Sequence, residues 1–376
     1  MALKVGVVGA RGIGTNHSKC HKADELAELV AVCDVIRERA DKLAEEVGVK
    51  AYYKLQDMLD AHPDLDVIDV CTGGCENGSW HFDPTMQALE AGKHVLVEKP
   101  ISNDIEEARD MVAFAAEKDL YLGCNLNHYF TPPADLARER LAAGDVGELT
   151  FCLHKMGFPG GERTYGGKPG AHRDKDLPYF HVKAFLTHPF SVMREFCGDI
   201  THVQAFMDRP SYRKQAGDVM VSINSIHVRF RNGAIGYLLS QRGDSTFGLG
   251  GWWSVEVGGT RGTFCIENCI ETFTFYPAPG TEGAAEPEKL GVGSAPAPEV
   301  TNSGISDFSE TFPLRIHAFL EDVTNGVAKE KLRASGRDAL AALEYTFAAI
   351  ESYESGGEMV RPHQLPEMRG DPTADA

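Results

Sequence analysis

A glutamate, a lysine and a proline follow one another where a short apolar segment of the sequence ends. The segment His94–Val97 has the composition of a buried strand, and Glu98, Lys99 and Pro100 come directly after it. In an open parallel sheet, ligands bind outside the carboxyl ends of the strands, so a lysine there faces the ligand crevice. A cation at that place can stabilise an alkoxide that forms during a reaction. Lys99 is therefore the first catalytic candidate, although the same three residues could simply end a strand at the surface.

A glycine-rich turn lies near the start of the sequence, between residues 4–8, which are rich in valine, and a predicted helix. The backbone N–H groups of such a turn, together with the start of the helix, bind a pyrophosphate. Gly9 and Gly14 match the first and third glycines of a dinucleotide-binding turn, whereas Arg11 replaces the second and Gly12 stands beside it. We predict that five residues of this turn contact the dinucleotide: Gly9, Arg11, Gly12, Ile13 and Gly14.

The next apolar segment, residues 29–33, ends at Asp34. An acid about 20 residues after the glycine turn accepts hydrogen bonds from the ribose hydroxyls of NAD. The same charge repels the additional phosphate of NADP, so we predict NAD as the cofactor, with NADP disfavoured. Arg37 is a further cofactor contact and the one residue that could bind that phosphate. Asp34 could also cap the helix at 36–47, which ends at Gly48.

Strand-like and helix-like segments alternate from residue 4 to residue 124. This alternation predicts an α/β domain with a doubly wound parallel (Rossmann) sheet. The glycine-rich loop 72–80 follows the fourth strand, so we expect Thr72 and Gly73 beside the cofactor. A chain of 376 residues exceeds the size at which a single core keeps growing, so two domains are expected.

The composition excludes several classes of partner. No apolar segment reaches the roughly 20 residues that a membrane helix needs. A net charge of −18 without a basic cluster argues against binding to nucleic acid. The sequence enters its first strand at once, with no room for a signal peptide, so we expect a cytoplasmic protein.

Nine cysteines in a chain of this length indicate reduced thiols rather than a disulfide framework. Cys71 with Cys75, and Cys265 with Cys269, have neither a matching second pair nor histidine partners at zinc-site spacing. We therefore predict no metal.

Several motifs resemble the glucose-fructose oxidoreductase, inositol dehydrogenase and MocA (Gfo/Idh/MocA) family of NAD(P)-dependent dehydrogenases. They are VGVVGARGIG, AVCDV, ALEAGKHVLVEKP, and NHYF followed by Pro132, in the order and approximate spacing of the family. Later segments, among them GGTRGTF and ALAALEYTFAAIESYESG, extend the resemblance over nearly the whole chain.

The resemblance implies a Rossmann domain over residues 1–127 and an α+β domain over residues 128–376. The second domain is expected to hold the substrate on an open, mainly antiparallel sheet and to form homodimers or homotetramers. The resemblance also implies a cis Lys99–Pro100 peptide, and cofactor contacts from Glu98, Lys99 and Asn127.

Oxidation of a secondary alcohol by a nicotinamide needs a hydride acceptor, a base for the hydroxyl proton and a positive charge for the alkoxide. The resemblance makes His188 the base and Lys99 the cation, converging on one hydroxyl. The family often carries an aspartate four residues before this histidine, where this chain has Ala184. His181 or Lys183 could then take over proton transfer. Candidate substrate contacts are Lys99, His128, Tyr129, Arg163, His181 and His188.

These observations predict an NAD-dependent oxidoreductase that acts on a secondary hydroxyl of a sugar, a glycoside or a cyclitol. One alternative is an enzyme that cleaves a glycoside or epimerises a sugar through a transient ketone and regenerates its NAD. Another is a sensor or co-repressor that binds the cofactor without catalysis, for which the missing aspartate is the support.

Overall fold

A computed structural model describes residues 2–73, 80–158, 178–242, 251–279, 288–290, 293–295 and 297–365. The chain divides into two compact units. The first comprises Met1–Asn127 and Ser309–Leu343, and the second comprises His128–Phe308 and Glu344–Ala376. The predicted domains were continuous ranges, whereas the compact units place Ser309–Leu343 with the first.

The first unit contains a parallel sheet of six strands in the order β3-β2-β1-β4-β5-β6. The strands are β1 (Leu3–Val8), β2 (Ala27–Cys33), β3 (Lys50–Tyr52), β4 (Val67–Val70), β5 (His94–Val97) and β6 (Leu122–Cys124). The helices between them are α1 (Ile13–Ala23), α2 (Arg37–Val47), α3 (Leu55–Ala61), α4 (Phe82–Glu90) and α5 (Ile105–Glu117). This strand order is that of a doubly wound fold, so the predicted Rossmann sheet is confirmed.

The strands of this sheet are apolar because helices cover them, and all four residues of β4 are buried. Helix α1 ends at Ala23, and Leu29 belongs to β2, where it pairs with Val5 of β1. Leu29 and Val5 join a core to which a later helix contributes Ile316 and Phe319.

The second unit contains a sheet of eight strands in the order β16-β13-β12-β11-β7-β10-β9-β8. The strands are β7 (Leu149–Phe158), β8 (Ile200–Asp208), β9 (Ile223–Phe230), β10 (Ile235–Arg242), β11 (Trp253–Gly259), β12 (Gly262–Glu267), β13 (Thr272–Pro277) and β16 (Glu299–Asn302). Two short strands, β14 (Glu288–Leu290) and β15 (Gly293–Ala295), pair with each other. Only β7 and β10 pair in parallel within the eight-stranded sheet, so the expected mainly antiparallel sheet is confirmed.

The remaining helices are α6 (Pro132–Ala142), α7 (Phe180–Phe185), α8 (Thr187–Cys197), α9 (Ser211–Gln215), α10 (Thr311–Thr324) and α11 (Gly336–Glu354). Helix α10 belongs to the first unit, and the boundary between the units falls within α11. Among the residues that the structure describes, no helix is long and apolar enough to cross a membrane.

Helices α7 and α8 are separated by one residue, Leu186: α7 ends at Phe185 and α8 begins at Thr187. Pro189 has no N–H group and cannot donate to the carbonyl of Phe185, which weakens the helix at that point. His181 lies on α7 and His188 on α8.

Candidate active site

The glycine turn of the first unit packs closely between β1 and α1. Gly9 has a φ of 100°, and a Cβ atom there would lie 2.5 Å from the carbonyl oxygen of Cys71. A Cβ atom at Gly14 would lie 1.7 Å from the carbonyl oxygen of Gly9. Gly12, at the start of α1, has a φ of 42° and faces open space, and no side chain caps this helix start. The turn thus leaves room for an anion at the beginning of α1, where the helix dipole favours negative charge.

The side chains of Arg11 and Ile13 are exposed beside this turn, and that of Ile13 is 39% exposed. Asp34 lies at the carboxyl end of β2, and its carboxylate accepts a hydrogen bond of 2.8 Å from the backbone N–H of Ala10 in the turn. It accepts another of 2.8 Å from the N–H of Ile36. Ile36, not Asp34, occupies the N-cap position of α2, so the capping alternative for Asp34 is not what the structure shows.

Arg37 begins α2 and places its guanidinium 4.0 Å from the centre of the Tyr53 ring. The Tyr53 hydroxyl donates a hydrogen bond of 2.8 Å to Asp41. Arg37, the residue that was expected to be able to bind the additional phosphate of NADP, is therefore stacked on an aromatic ring whose hydroxyl is hydrogen-bonded.

The remaining predicted cofactor contacts of the first unit follow the ends of its strands. Thr72 follows β4 and donates a hydrogen bond of 2.7 Å to the carbonyl of Trp80, and Gly73 is exposed beside it. Lys99 follows β5 and is half-buried, and the Lys99–Pro100 peptide is cis, as the resemblance implied. Asn127 is buried and donates a hydrogen bond of 2.6 Å to the hydroxyl of Thr311.

Glu98 belongs to a buried polar network that joins α1 to the ends of β4, β5 and β6. His17 on α1 lies between two acids: its Nδ1 is 2.9 Å from Asp69 Oδ2, and its Nε2 is 3.2 Å from Glu98 Oε1. Asn125 donates to Glu98, and its Nδ2 is 3.1 Å from His17 Nε2. His21, one turn further along α1, places its Nε2 2.7 Å from the same oxygen of Asp69.

In this network, burial and the charges of neighbouring groups shift the pKa of each residue in opposite directions. Burial is the largest influence on His17 and lowers its pKa, but its charged and hydrogen-bonding neighbours, among them the carboxylate of Asp69, outweigh burial and hold that pKa well above its ordinary value. Burial likewise raises the pKa of Asp69, but the two histidines outweigh it, and the net pKa is lowered. Burial is also the largest influence on Glu98 and raises its pKa, but the hydrogen bond and charge of His17, the charge of Lys99 and the hydrogen bond from Asn125 together outweigh it and lower that pKa. An imidazolium at His17 between two carboxylates satisfies all three groups.

His17, Asp69 and Cys71 also form a group of potential metal ligands whose donor atoms lie within 4.8 Å of one another. The Nδ1 of His17 is 2.9 Å from Asp69 Oδ2 and 3.2 Å from Cys71 Sγ. Two ligands of a tetrahedral zinc ion, with bonds of about 2.0–2.3 Å, are separated by about 3.3 Å or more. The observed separations are those of direct hydrogen bonds, and burial raises the pKa of the Cys71 thiol, which disfavours a thiolate ligand. The absence of a metal stays a prediction.

The second unit brings two of the predicted residues together. The rings of His128 and His188 stack with their centres 3.7 Å apart and their planes 14° from parallel. The indole N–H of Trp253 donates a hydrogen bond of 3.1 Å to His128 Nδ1. Because an indole nitrogen only donates, Nδ1 of His128 carries no proton, and the ring is neutral with its proton on Nε2. His188, which is 4% exposed, thus has a neutral aromatic partner on one face of its ring.

Two other predicted residues of the second unit, Tyr129 and His181, make further contacts within it. Tyr129 is buried, and its carbonyl accepts a hydrogen bond of 3.0 Å from Arg138. His181 is buried on α7, with its Nε2 3.5 Å from the hydroxyl of Ser240 and its ring packed on Phe185. Arg163 lies outside the described residues.

Two models of protein domains match the sequence, in the order of the two parts of the chain. The model described as an oxidoreductase family with an NAD-binding Rossmann fold matches residues 3–126. The model described as the GFO/IDH/MocA C-terminal domain matches residues 135–265. The chain belongs to the Gfo/Idh/MocA family.

Curated relatives of this family match nearly the whole chain. Myo-inositol 2-dehydrogenase of Thermotoga maritima is 24% identical over 362 residues, which are 94% of this chain and 96% of the relative. The NAD⁺-dependent scyllo-inositol 2-dehydrogenase of Bacillus subtilis is 25% identical over 360 residues, which are 94% of this chain and 95% of the relative. A solved structure of levoglucosan dehydrogenase with NADH and levoglucosan is 19% identical and covers 97% of this chain and 100% of its own, with a TM-score of 0.79. This similarity to a solved structure supports the fold described above for the chain.

As a member of the Gfo/Idh/MocA family, the protein is an NAD-binding oxidoreductase. The residues described for the first unit fit the cofactor: a glycine turn open above Gly12, an uncapped helix start for the pyrophosphate, and the carboxylate of Asp34 at the second strand. When bound, the nicotinamide supplies the hydride acceptor or donor. Lys99 supplies a cation at the carboxyl end of β5.

The network of His17, Asp69 and Glu98 was not predicted from the sequence. Two features of the sequence point to such a network. Asp69 is an acid within a strand whose four residues are all buried, and such a charge needs a buried partner. His17 and His21 stand four residues apart, on one face of α1.

Proposed function

We propose that this protein transfers a hydride between a secondary hydroxyl of a sugar, a glycoside or a cyclitol and NAD. The observation that carries the proposal is the position of Lys99 at the carboxyl end of β5, in a unit whose turn and Asp34 fit NAD. The names of its relatives support a polyhydroxylated substrate, since two are inositol dehydrogenases and one structure holds levoglucosan.

The residue roles in this proposal follow from chemistry. His188 is the general base that accepts the hydroxyl proton, and Lys99 stabilises the alkoxide as the hydride leaves the carbon. His128 supports His188, because a neutral ring stacked on an imidazole favours the cation that forms when His188 takes up a proton. This stack offers a partner to His188 where the family's aspartate is replaced by Ala184.

The proposal includes the assembly and location of the protein. The sheet of the second unit has one well-buried face, and five large apolar side chains are exposed on the opposite face: Leu153, Phe206, Ile235, Tyr276 and Val300. An exposed apolar face of this kind supports a homodimer or homotetramer.

Eight cysteines of the described residues are free thiols, which supports a reducing compartment such as the cytoplasm. No interaction with nucleic acid is expected.

The proposal is tested by incubating the purified protein with NAD and a panel of inositols, pyranosides and anhydrosugars, and by following NADH formation and product formation together. We expect NADH in a 1:1 ratio to a ketone product with at least one compound. Product without net NADH would favour the alternative in which NAD is regenerated within the cycle. Tight binding of NAD and of a sugar without any product would favour the sensor.

A further inference from the structure

A chain of buried contacts leads from the interior of β4 to the backbone of Lys99. Asp69 Oδ2 is 2.9 Å from His17 Nδ1, and His17 Nε2 is 3.2 Å from Glu98 Oε1. The other oxygen of Glu98 accepts a hydrogen bond of 3.2 Å from the backbone N–H of Lys99. We propose that His17 is a positioning residue, which acts through Glu98 to hold the backbone that carries Lys99. The inference rests on the proposed function, because it takes Lys99 as the cation of the reaction.

The geometry makes His17 the link between two neighbouring strands. β4 and β5 pair in parallel, Asp69 lies within β4, and Glu98 follows β5 directly. The two nitrogens of the His17 ring point in opposite directions, one toward each acid. Removal of this ring would leave the two carboxylates without the donor that they share.

The surroundings of His17 leave its ring little freedom. His17 and Asp69 are 0% exposed, and Glu98 is 7% exposed. The ring contacts Asp69 within β4 and Cys71 just after it. It also contacts Glu98 at the end of β5 and Asn125 at the end of β6. The ring of Phe312, on α10, packs edge-on at 5.8 Å between centres.

Glu98 is the member of the network that depends on His17. A buried carboxylate is strongly disfavoured unless it is paired, so loss of the hydrogen bond and charge of His17 favours a Glu98 that takes up a proton or turns toward water, although the charge of Lys99 still favours its ionised form. Asn125 donates a hydrogen bond to Glu98 but carries no charge. Either response of Glu98 loosens the contact with the backbone N–H of Lys99.

His21 provides a matched control within the same helix. It is also a histidine, it is also 0% exposed, and it also contacts Asp69 Oδ2, at 2.7 Å. In the structure its acid partner is Asp69, whereas His17 contacts both Asp69 and Glu98. A purely structural role of the buried histidines predicts similar effects of His17→Gln and His21→Gln, whereas a positioning role predicts an effect specific to His17.

The experiment compares these two variants in the full-length protein by two measurements. The first is kcat and KM with the best substrate of the panel. The second, which needs no substrate, is the hydrogen-exchange rate of the Lys99 backbone amide in the NAD complex. We expect His17→Gln to lower kcat about tenfold or more with nearly unchanged KM for NAD, because small displacements of a reacting group are costly. We expect the Lys99 amide to exchange about tenfold faster or more. His21→Gln should keep kcat within about twofold and leave this amide protected.

A double-variant cycle tests whether His17 acts through Glu98. Glu98→Gln and the combination of His17→Gln with Glu98→Gln should have similar kcat values, because the second change removes a link that is already broken. Additive losses, or equal losses of kcat and amide protection in His17→Gln and His21→Gln, would overturn the inference. If Lys99→Ala keeps full turnover, the proposed role of Lys99 is wrong. Faster exchange of the Lys99 amide in His17→Gln alone would then still support the positioning contact.

Discussion

At the scale of single residues, the proposed chemistry depends on Lys99 of the first unit and His188 of the second. A general base and a positioned cation each contribute roughly 100-fold or more to a rate. We therefore expect Lys99→Ala and His188→Ala each to lower kcat by at least about 100-fold. The Kd for NAD, measured by fluorescence titration, should change by less than about threefold, because the glycine turn and Asp34 are untouched.

His181→Ala and Lys183→Ala are the controls for this experiment. Both residues are on α7, where His181 packs on Phe185 and the Lys183 ammonium lies 4.9 Å from the centre of the Phe347 ring. If either control abolished turnover while His188→Ala kept it, the assignment of the base would be wrong, although the reaction class would survive.

Cofactor choice is also decided by single side chains. Asp34 places a carboxylate where the ribose hydroxyls are expected, and it is held by the N–H groups of Ala10 and Ile36. Arg37 is stacked on Tyr53. We expect the Kd for NAD to be at least about tenfold lower than that for NADP at equal ionic strength, which corresponds to about 1.4 kcal/mol. Equal dissociation constants in calorimetry would contradict this expectation.

At the scale of secondary-structure elements, the contact between β1 and α1 requires glycine at residue 14. A Cβ atom there would overlap the carbonyl oxygen of Gly9 at 1.7 Å, so Gly14→Ala must push the helix away from the strand. Overpacking of this kind costs about 1–3 kcal/mol. We expect a lower Tm for Gly14→Ala in a thermal melt, together with weaker binding of NAD. Gly73→Ala is the control, because a Cβ atom at Gly73 meets nothing within 4 Å and Tm should stay nearly unchanged.

Helix α8 carries the proposed base. His188 on this helix stacks on His128, a residue that precedes α6 in the chain. The partner of the proposed base is thus a ring from another part of the chain.

At the scale of the whole molecule, the exposed face of the eight-stranded sheet predicts self-association. Leu153, on β7, is 45% exposed in the centre of this sheet. We expect a dimer or tetramer by light scattering at micromolar concentration, and Leu153→Arg should shift it toward the monomer because a charge there opposes burial of the face.

Leu314→Arg is the matched control, since Leu314 is exposed to a similar extent, 42%, but lies on α10 in the first unit. It should leave the oligomer intact. A monomeric unmodified protein, or equal dissociation of both variants, would refute an assembly through the sheet.

The sequence by itself determined the features that depend on local patterns. The alternation of strands and helices specified the parallel sheet, and the glycines and Asp34 marked the cofactor turn. Lys99 could be placed at the end of a strand because an apolar segment stops just before it. The resemblance to the family added the second sheet and the cis peptide before Pro100, which the structure confirms.

The tertiary structure alone decided which distant side chains meet. His17 reaches Glu98 because the sheet places β4 and β5 side by side, beneath the helix that follows β1. Trp253 reaches His128 across 125 residues of sequence. Periodicity specifies which side of an element is buried, but the partner on that side depends on strand order and on helix packing. These arrangements arise only when the complete core assembles, so the network behind Lys99 and the partner of His188 could not be derived from local sequence patterns.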